Sequence, residues 1–153
     1  MAERTLIIIK PGAIQRHLAG EIIGRFEKKG TKIVAAKFMQ ISEELARQLY
    51  AVHNDKPFFG DAVKYLSSAP VLVMVWEAEG IIDMARKMIG ATFGYDAQPG
   101  TIRGDFSSSK RYNLIHGSDS PKFAEQEIKL LFSPSEIIDY ELTDANWLYD
   151  KND

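Results

Sequence analysis

Two short runs rich in β-branched residues constrain this chain most: Thr5-Leu6-Ile7-Ile8-Ile9 and Val71-Leu72-Val73-Met74-Val75-Trp76. Each reads as a buried strand. The first is stopped by Pro11-Gly12 and leaves Lys10 at its exit. The second is the clearest central strand. Between and after them the apolar period changes to that of helices. Leu18, Ile22, Ile23 and Phe26 stand at helical spacing, with Gly30 as a stop. Lys32 to Gln40 reads as another strand, carrying Ile33, Val34 and Phe38. Ser42 can cap a helix bearing Leu45, Ala46 and Leu49, with Glu43 and Glu44 at its positive end.

Pro57-Phe58-Phe59-Gly60 interrupts the pattern, and a short helix is predicted from Asp61 to Ser67. Ile81, Ile82, Ala85, Met88 and Ile89 mark a helix closed by Gly90. Ser120-Pro121 is a helix start, with Ser at the cap and Pro at the first helical position. Ala124, Ile128 and Leu131 form its apolar stripe. A fourth, short strand is placed near Tyr112 to Ile115. This order predicts an α+β fold: a ferredoxin-like split βαβ sandwich, its four-stranded sheet largely antiparallel, with helices packed on one face. The 153 residues fit a single domain spanning 1–153, long enough to bury a real core.

Composition removes several function classes. Nineteen basic residues against twenty-one acidic ones give a net charge of −2, unlike a general nucleic-acid binder. The chain contains no cysteine, which excludes disulfides, thiolate zinc sites and cysteine nucleophiles. No apolar run approaches the ~20 residues of a membrane helix. Met1-Ala2-Glu3-Arg4-Thr5 lacks the pattern of a signal peptide, so a cytoplasmic location is expected.

The segment from Gly90 to Gly117 is the anomaly. It is long, glycine-rich and without sustained apolar period, and it carries Arg103, Lys110 and Arg111. Such stretches in compact domains are usually functional, and these charges suit an anion. An ordinary surface loop with solvated charges is the other reading. There is no G-x-x-x-x-G-K-[ST], no G-x-G-x-x-G and no H-E-x-x-H, so known phosphate-binding glycine loops and zincin sites are absent. His17, His53 and His116 share no metal-ligand spacing. His17 and His53 read as surface residues. His116 is placed at a strand exit, where position alone leaves a structural histidine equally open. Glu127 shares the helix face of Ala124 and Leu131, so its carboxylate points inward unless it skirts the stripe to water. A histidine ring nitrogen is a fitting partner. That bond would fix the tautomer and leave the other nitrogen free.

Asn113-Leu114-Ile115-His116-Gly117-Ser118-Asp119-Ser120 resembles the active-site signature of the nucleoside diphosphate kinases. So do Pro99-Gly100-Thr101-Ile102-Arg103-Gly104-Asp105-Phe106, the opening Glu3 to Pro11, Gly20-Glu21-Ile22-Ile23, Pro57-Phe58-Phe59 and Met74-Val75-Trp76-Glu77. The similarity runs in order from Glu3 to about Tyr149. It implies reversible transfer of the γ-phosphate from a nucleoside triphosphate, mainly ATP, to a nucleoside diphosphate through a phosphohistidine, with ping-pong kinetics. His116 would be the nucleophile, Glu127 would hold its second ring nitrogen, and Tyr50 would support His116 and Lys10. Lys10, Arg86 and Arg103 would meet phosphates, with Thr92 beside them. Asn113 would bind the sugar, and Phe58 would stack on the base. Mg²⁺ would arrive on the nucleotide phosphates, with no metal site of the protein's own. A homo-oligomer is implied, and the tail at Trp147 to Tyr149 resembles longer, usually hexameric members; tetramers also occur.

The chain departs from the family's pattern at Gly12-Ala13, at Ala62, at Phe93-Gly94-Tyr95 and at Arg111-Tyr112. None of these replaces a residue assigned to chemistry. Two alternatives fit these residues less well. A ferredoxin-like RNA-binding module would need a basic sheet and RNP aromatics, which are lacking. A catalytically silent scaffold of the same family would have lost the histidine, lysine or arginines, and all are present.

Overall fold

A computed structural model describes residues 2–153. Four strands, β1 (Glu3–Ile9), β2 (Lys32–Met39), β3 (Val71–Ala78) and β4 (Ile115–Gly117), form one antiparallel sheet in the order β2-β3-β1-β4. β1 and β2 run parallel with β3 between them, which is the split βαβ arrangement predicted.

The helices do not keep to one face of the sheet, as the sequence reading had them. They cover both. Alternate side chains of β1 enter two different cores: Ile7 and Ile9 in one, Leu6 and Ile8 in the other, all fully buried. The first core is closed by α2 (Ala19–Lys28) and α5 (Ile81–Ile89) through Phe26, Ile22, Ile81 and Ala85. The second is closed by α3 (Glu43–Leu49), α4 (Phe59–Ser67) and α7 (Pro121–Leu131) through Leu49, Leu66 and Ile128. A strand wetted on one side alternates apolar with polar residues, whereas a strand covered on both reads as an unbroken run. The Leu6-Ile7-Ile8-Ile9 run therefore already carried the signal for two covered faces.

The predicted caps are in place. Ser42 Oγ accepts from the Leu45 N–H at 3.1 Å, and Ser120 Oγ from the Phe123 N–H at 3.2 Å, with Pro121 at the first helical position. Other boundaries move. Pro11 does not end structure but starts a one-turn helix, α1 (Pro11–Gln15), because proline's fixed φ and missing N–H suit a first helical turn. α4 begins at Phe59, two residues before the expected start. The short fourth strand lies later than Tyr112 to Ile115. It runs Ile115–Gly117, so His116 sits within a strand rather than at its exit. The cause is Leu114, whose φ of +73° turns the chain sharply before pairing with β1 can begin.

The Gly90–Gly117 segment, read as irregular, contains α6 (Ile102–Phe106), capped by Thr101 Oγ1 on the Gly104 N–H at 3.0 Å. One turn buries only Ile102 and Arg103, too little for a period to show. Arg25 of α2 anchors it, bonding the Asp105 carboxylate at 2.5 Å and the Gly100 carbonyl at 3.0 Å. In the tail, α8 (Ala145–Leu148) seats Leu148 against Gly30, where φ is +91° and a Cβ would collide. Trp147 stays 91% exposed. Among the described residues no helix is long and apolar enough to cross a membrane.

Candidate active site

His116 stands directly opposite Ile8 in the β1–β4 pairing. Paired residues share a face, so the imidazole projects toward the side covered by α3, α4 and α7. There its Nε2 lies 3.0 Å from Glu127 Oε1 on α7. Ser118, two residues on and hence on the same face, donates its hydroxyl to the same carboxylate oxygen at 2.7 Å. Ser118 Oγ also accepts the Leu6 N–H at 3.0 Å, which ties the carboxylate to the central strand. Glu127 and His116 are both largely buried, so a paired geometry is required of them. With Nε2–H donating to the carboxylate, Nδ1 keeps its lone pair and has no protein partner among the described residues.

The Tyr50 ring packs edge-on against the imidazole, with centroids 6.1 Å apart. Burial, and then the nearby Glu127 charge, push its hydroxyl well above the usual phenol range, so it stays neutral. It makes no hydrogen bond to Lys10. Lys10 instead donates to Asn113 Oδ1 at 2.7 Å, and Asn113 Nδ2 donates to the Thr92 carbonyl at 3.0 Å. Lys10 is buried at the N-cap of α1, and burial together with the neighbouring Arg103 charge lowers its ammonium to about 7.

Arg103 on α6 does more than carry charge. Its Nε donates to the Asn113 carbonyl at 3.1 Å, Nη2 to the Ile115 carbonyl at 2.7 Å and Nη1 to the Gly90 carbonyl at 3.3 Å. Two of those carbonyls flank Leu114. A leucine in the left-handed region costs about 1–2 kcal/mol, and the guanidinium fork offsets this by holding both sides of the turn. Burial, then Arg86, lower Arg103 to about 10, so it remains charged at neutral pH. Arg86 on α5 pairs with Asp119.

Every site residue singled out from the sequence lines one cleft of about 1030 Å³: Lys10, Tyr50, Phe58, Arg86, Thr92, Arg103, Asn113, His116 and Glu127. Phe58 is half-exposed at the mouth, with the His53 ring 5.7 Å away. His53 thus borders the cleft, while His17 is exposed outside it, between α1 and α2. Sequence reasoning missed Ser118, which the period-two rule applied from His116 would have found. It also missed Tyr65, whose hydroxyl accepts the Gly12 N–H at 3.1 Å. A Cβ at position 12 would strike that hydroxyl, so a larger residue there would displace the Tyr65 side chain. Among the described residues no group of three or more His, Asp or Glu side chains is placed to hold a metal ion.

The cleft thus brings an imidazole with one oriented and one unengaged ring nitrogen together with the buried Lys10 and Arg103, a donor set suited to an anion. The family model described as "Nucleoside diphosphate kinase" matches residues 3–137. The chain belongs to the nucleoside diphosphate kinase family, whose members are phosphotransferases. It is 54% identical over 146 residues to the nucleoside diphosphate kinase of Synechococcus sp. (strain CC9311), covering 95% of this chain and 96% of that protein. It is 52% identical over 148 residues to that of Crocosphaera subtropica (strain ATCC 51142 / BH68), covering 97% and 99%. The solved structure of a halophilic nucleoside diphosphate kinase from Halobacterium salinarum, in complex with CDP, superposes with a TM-score of 0.95 at 45% identity, covering 98% of this chain and 100% of that one.

Proposed function

We propose that this chain moves the γ-phosphoryl group of a nucleoside triphosphate to a nucleoside diphosphate through phosphorylated His116. The observation that carries this is the 3.0 Å contact of Nε2 with Glu127, which leaves Nδ1 as the free nitrogen beside the cleft. Nδ1 attacks the γ-phosphorus, the bond to the β,γ-bridging oxygen breaks, and the diphosphate departs. In the second half-reaction a terminal oxygen of another diphosphate attacks, and the phosphorus–nitrogen bond breaks. The proton on Nε2 stays on the Glu127 side throughout.

Lys10, Arg86 and Arg103 address the charge on the transferring group, the main need in phosphoryl transfer. Thr92 binds beside the phosphates, Asn113 binds the sugar, Tyr50 braces the ring, and Phe58 offers a π-face that every base can use. The cleft presents cations rather than a carboxylate cage, so its donor set suits phosphate oxygens. Mg²⁺ enters as part of the metal–nucleotide substrate. The exposed Trp147 supports a homo-oligomer, and a cytoplasmic location agrees with nucleotide substrates.

Incubation with γ-labelled ATP tests this reading. The expected result is label on the protein that is acid-labile and base-stable. Its absence from well-folded protein would overturn the proposal. Under the same conditions Glu127→Ala is expected to slow labelling by roughly 100-fold, the lower end of general acid–base effects, while ADP still binds. An unchanged rate would show that the carboxylate does not orient the ring.

The lowered Lys10 gives a pH dependence with a definite sign. In the free protein Lys10 loses its charge as pH rises through about 7. A bound diphosphate favours the ammonium and raises its pKa, so binding takes up a proton in the window above about 7. ADP affinity should therefore fall as pH rises from 7 toward 9, by at most about tenfold per unit. Isothermal calorimetry across that range measures it. Lys10→Gln should bind more weakly with a flatter profile; an equally steep one would assign the proton to another group.

A further inference from the structure

We propose that Arg111 and Tyr112 are positioning residues that strap the Asn113 loop onto α4 and thereby set Lys10 and Asn113 for the nucleotide; the inference rests on the phosphotransfer reading of the cleft. The loop from Ser107 to Leu114 has no regular structure of its own, yet it carries Asn113. Two contacts cross from it to the opposite wall. Arg111 Nη1 meets Asp61 Oδ2 at 2.5 Å, and the Tyr112 ring packs on Tyr65 with centroids 4.7 Å apart and planes 32° from parallel. Asp61 and Tyr65 are four residues apart on α4, so they present one face to two adjacent residues of the loop.

Tyr65 passes this contact inward. Its hydroxyl accepts the Gly12 N–H in the first turn of α1, and Lys10 Nζ lies 6.0 Å from its ring centroid. Lys10 in turn donates to Asn113, the residue after Tyr112. The contacts close a circuit: Tyr112 to Tyr65, Tyr65 to the start of α1, Lys10 to Asn113, and back along the chain to Tyr112. The Ser107 hydroxyl also donates to the Tyr112 carbonyl at 2.9 Å, holding the loop from its near side. A closed circuit of this kind orders the binding groups before the ligand arrives, which reduces the ordering cost of binding. Arg111 and Tyr112 are both mostly exposed, so core packing alone does not account for their placement.

Asp61 gives the decisive sign. It is a carboxylate on the wall of a cleft proposed to take an anionic ligand. If it only faced the solvent, its neutralisation would leave ADP binding unchanged or tighten it. If it anchors the strap, Asp61→Asn weakens binding. Calorimetric titration with ADP, beside steady-state kinetics, reads this. The expected results are a Kd raised roughly 2- to 10-fold in Asp61→Asn, Arg111→Ala and Tyr112→Ala, with the loss mainly in KM rather than kcat. Tyr112→Phe should keep wild-type affinity, and the double variant Asp61→Arg with Arg111→Asp should regain most of what either single change loses. Equal or tighter ADP binding by Asp61→Asn would overturn the strap, as would a Tyr112→Phe variant as weak as Tyr112→Ala. Labelling of the wild-type protein by γ-labelled ATP is scored separately. Its failure would sink the phosphotransfer reading, whereas wild-type labelling with unchanged ADP binding in all three variants would sink only the strap.

Discussion

Replacing His116 with alanine is expected to abolish phosphotransfer, with a fall in kcat of at least about 10⁴-fold and no acid-labile label from γ-labelled ATP. The size follows from the proposed covalent route. Without Nδ1 no phosphoramidate forms, and the remaining cations can only bind nucleotide. The fold should survive. The imidazole makes one side-chain hydrogen bond, to Glu127, and the carboxylate keeps the Ser118 hydroxyl when the ring is gone. Thermal denaturation should therefore give a Tm within a few degrees of wild type, and ADP should still bind. Near-normal turnover by this variant would end the covalent mechanism.

Arg103→Lys should cost both stability and activity, although the charge is kept. The guanidinium serves three carbonyls, those of Gly90, Asn113 and Ile115, from one planar fork. An ammonium is a compact donor that cannot span the carbonyls on both sides of Leu114. Hydrogen bonds from charged groups are worth about 1.5–3 kcal/mol each, and leaving buried carbonyls unmet adds to the loss. A destabilisation of roughly 3 kcal/mol is expected, or a fall in Tm of roughly 6–12 °C for a domain of this size. Because Leu114 lies between Asn113 and β4, relaxing its left-handed turn shifts both Asn113 and His116. kcat/KM should fall by about 10²-fold, the usual consequence of a misplacement near 1 Å. If Arg103→Lys kept wild-type Tm and kcat/KM, the guanidinium would be a simple charge and the clamp on Leu114 would be wrong.

Much of the fold could be read in advance because its signals are local. Ser42 and Ser120 cap their helices through side chains three residues away, and Gly90 closes α5 with a φ of +91°. What escaped were features whose cause lies elsewhere in the chain. α6 is too short for a period, and besides its Thr101 cap it is held through Asp105 by Arg25, some eighty residues earlier. The start of β4 is displaced by Leu114, a residue type that gives no warning of positive φ. The second helical layer was legible in the unbroken apolar run of β1, but an unbroken run says only that both faces are covered, not by what.

Residue identity alone settled which groups could do chemistry here: no thiol, one histidine in a glycine-rich segment with basic residues, and a carboxylate on the apolar side of a helix. Composition and helical spacing are properties of the covalent chain, and no folding is needed to count them. Which ring nitrogen is engaged, that Lys10 answers to Asn113 rather than Tyr50, and that Arg103 spans the two sides of a left-handed leucine were decided only by tertiary contact, across 103 positions for Lys10 and Asn113 and across 10 to 12 for the others. Hydrogen bonds reach about 3 Å, and no pattern along a chain encodes which atoms of separate elements will come that close.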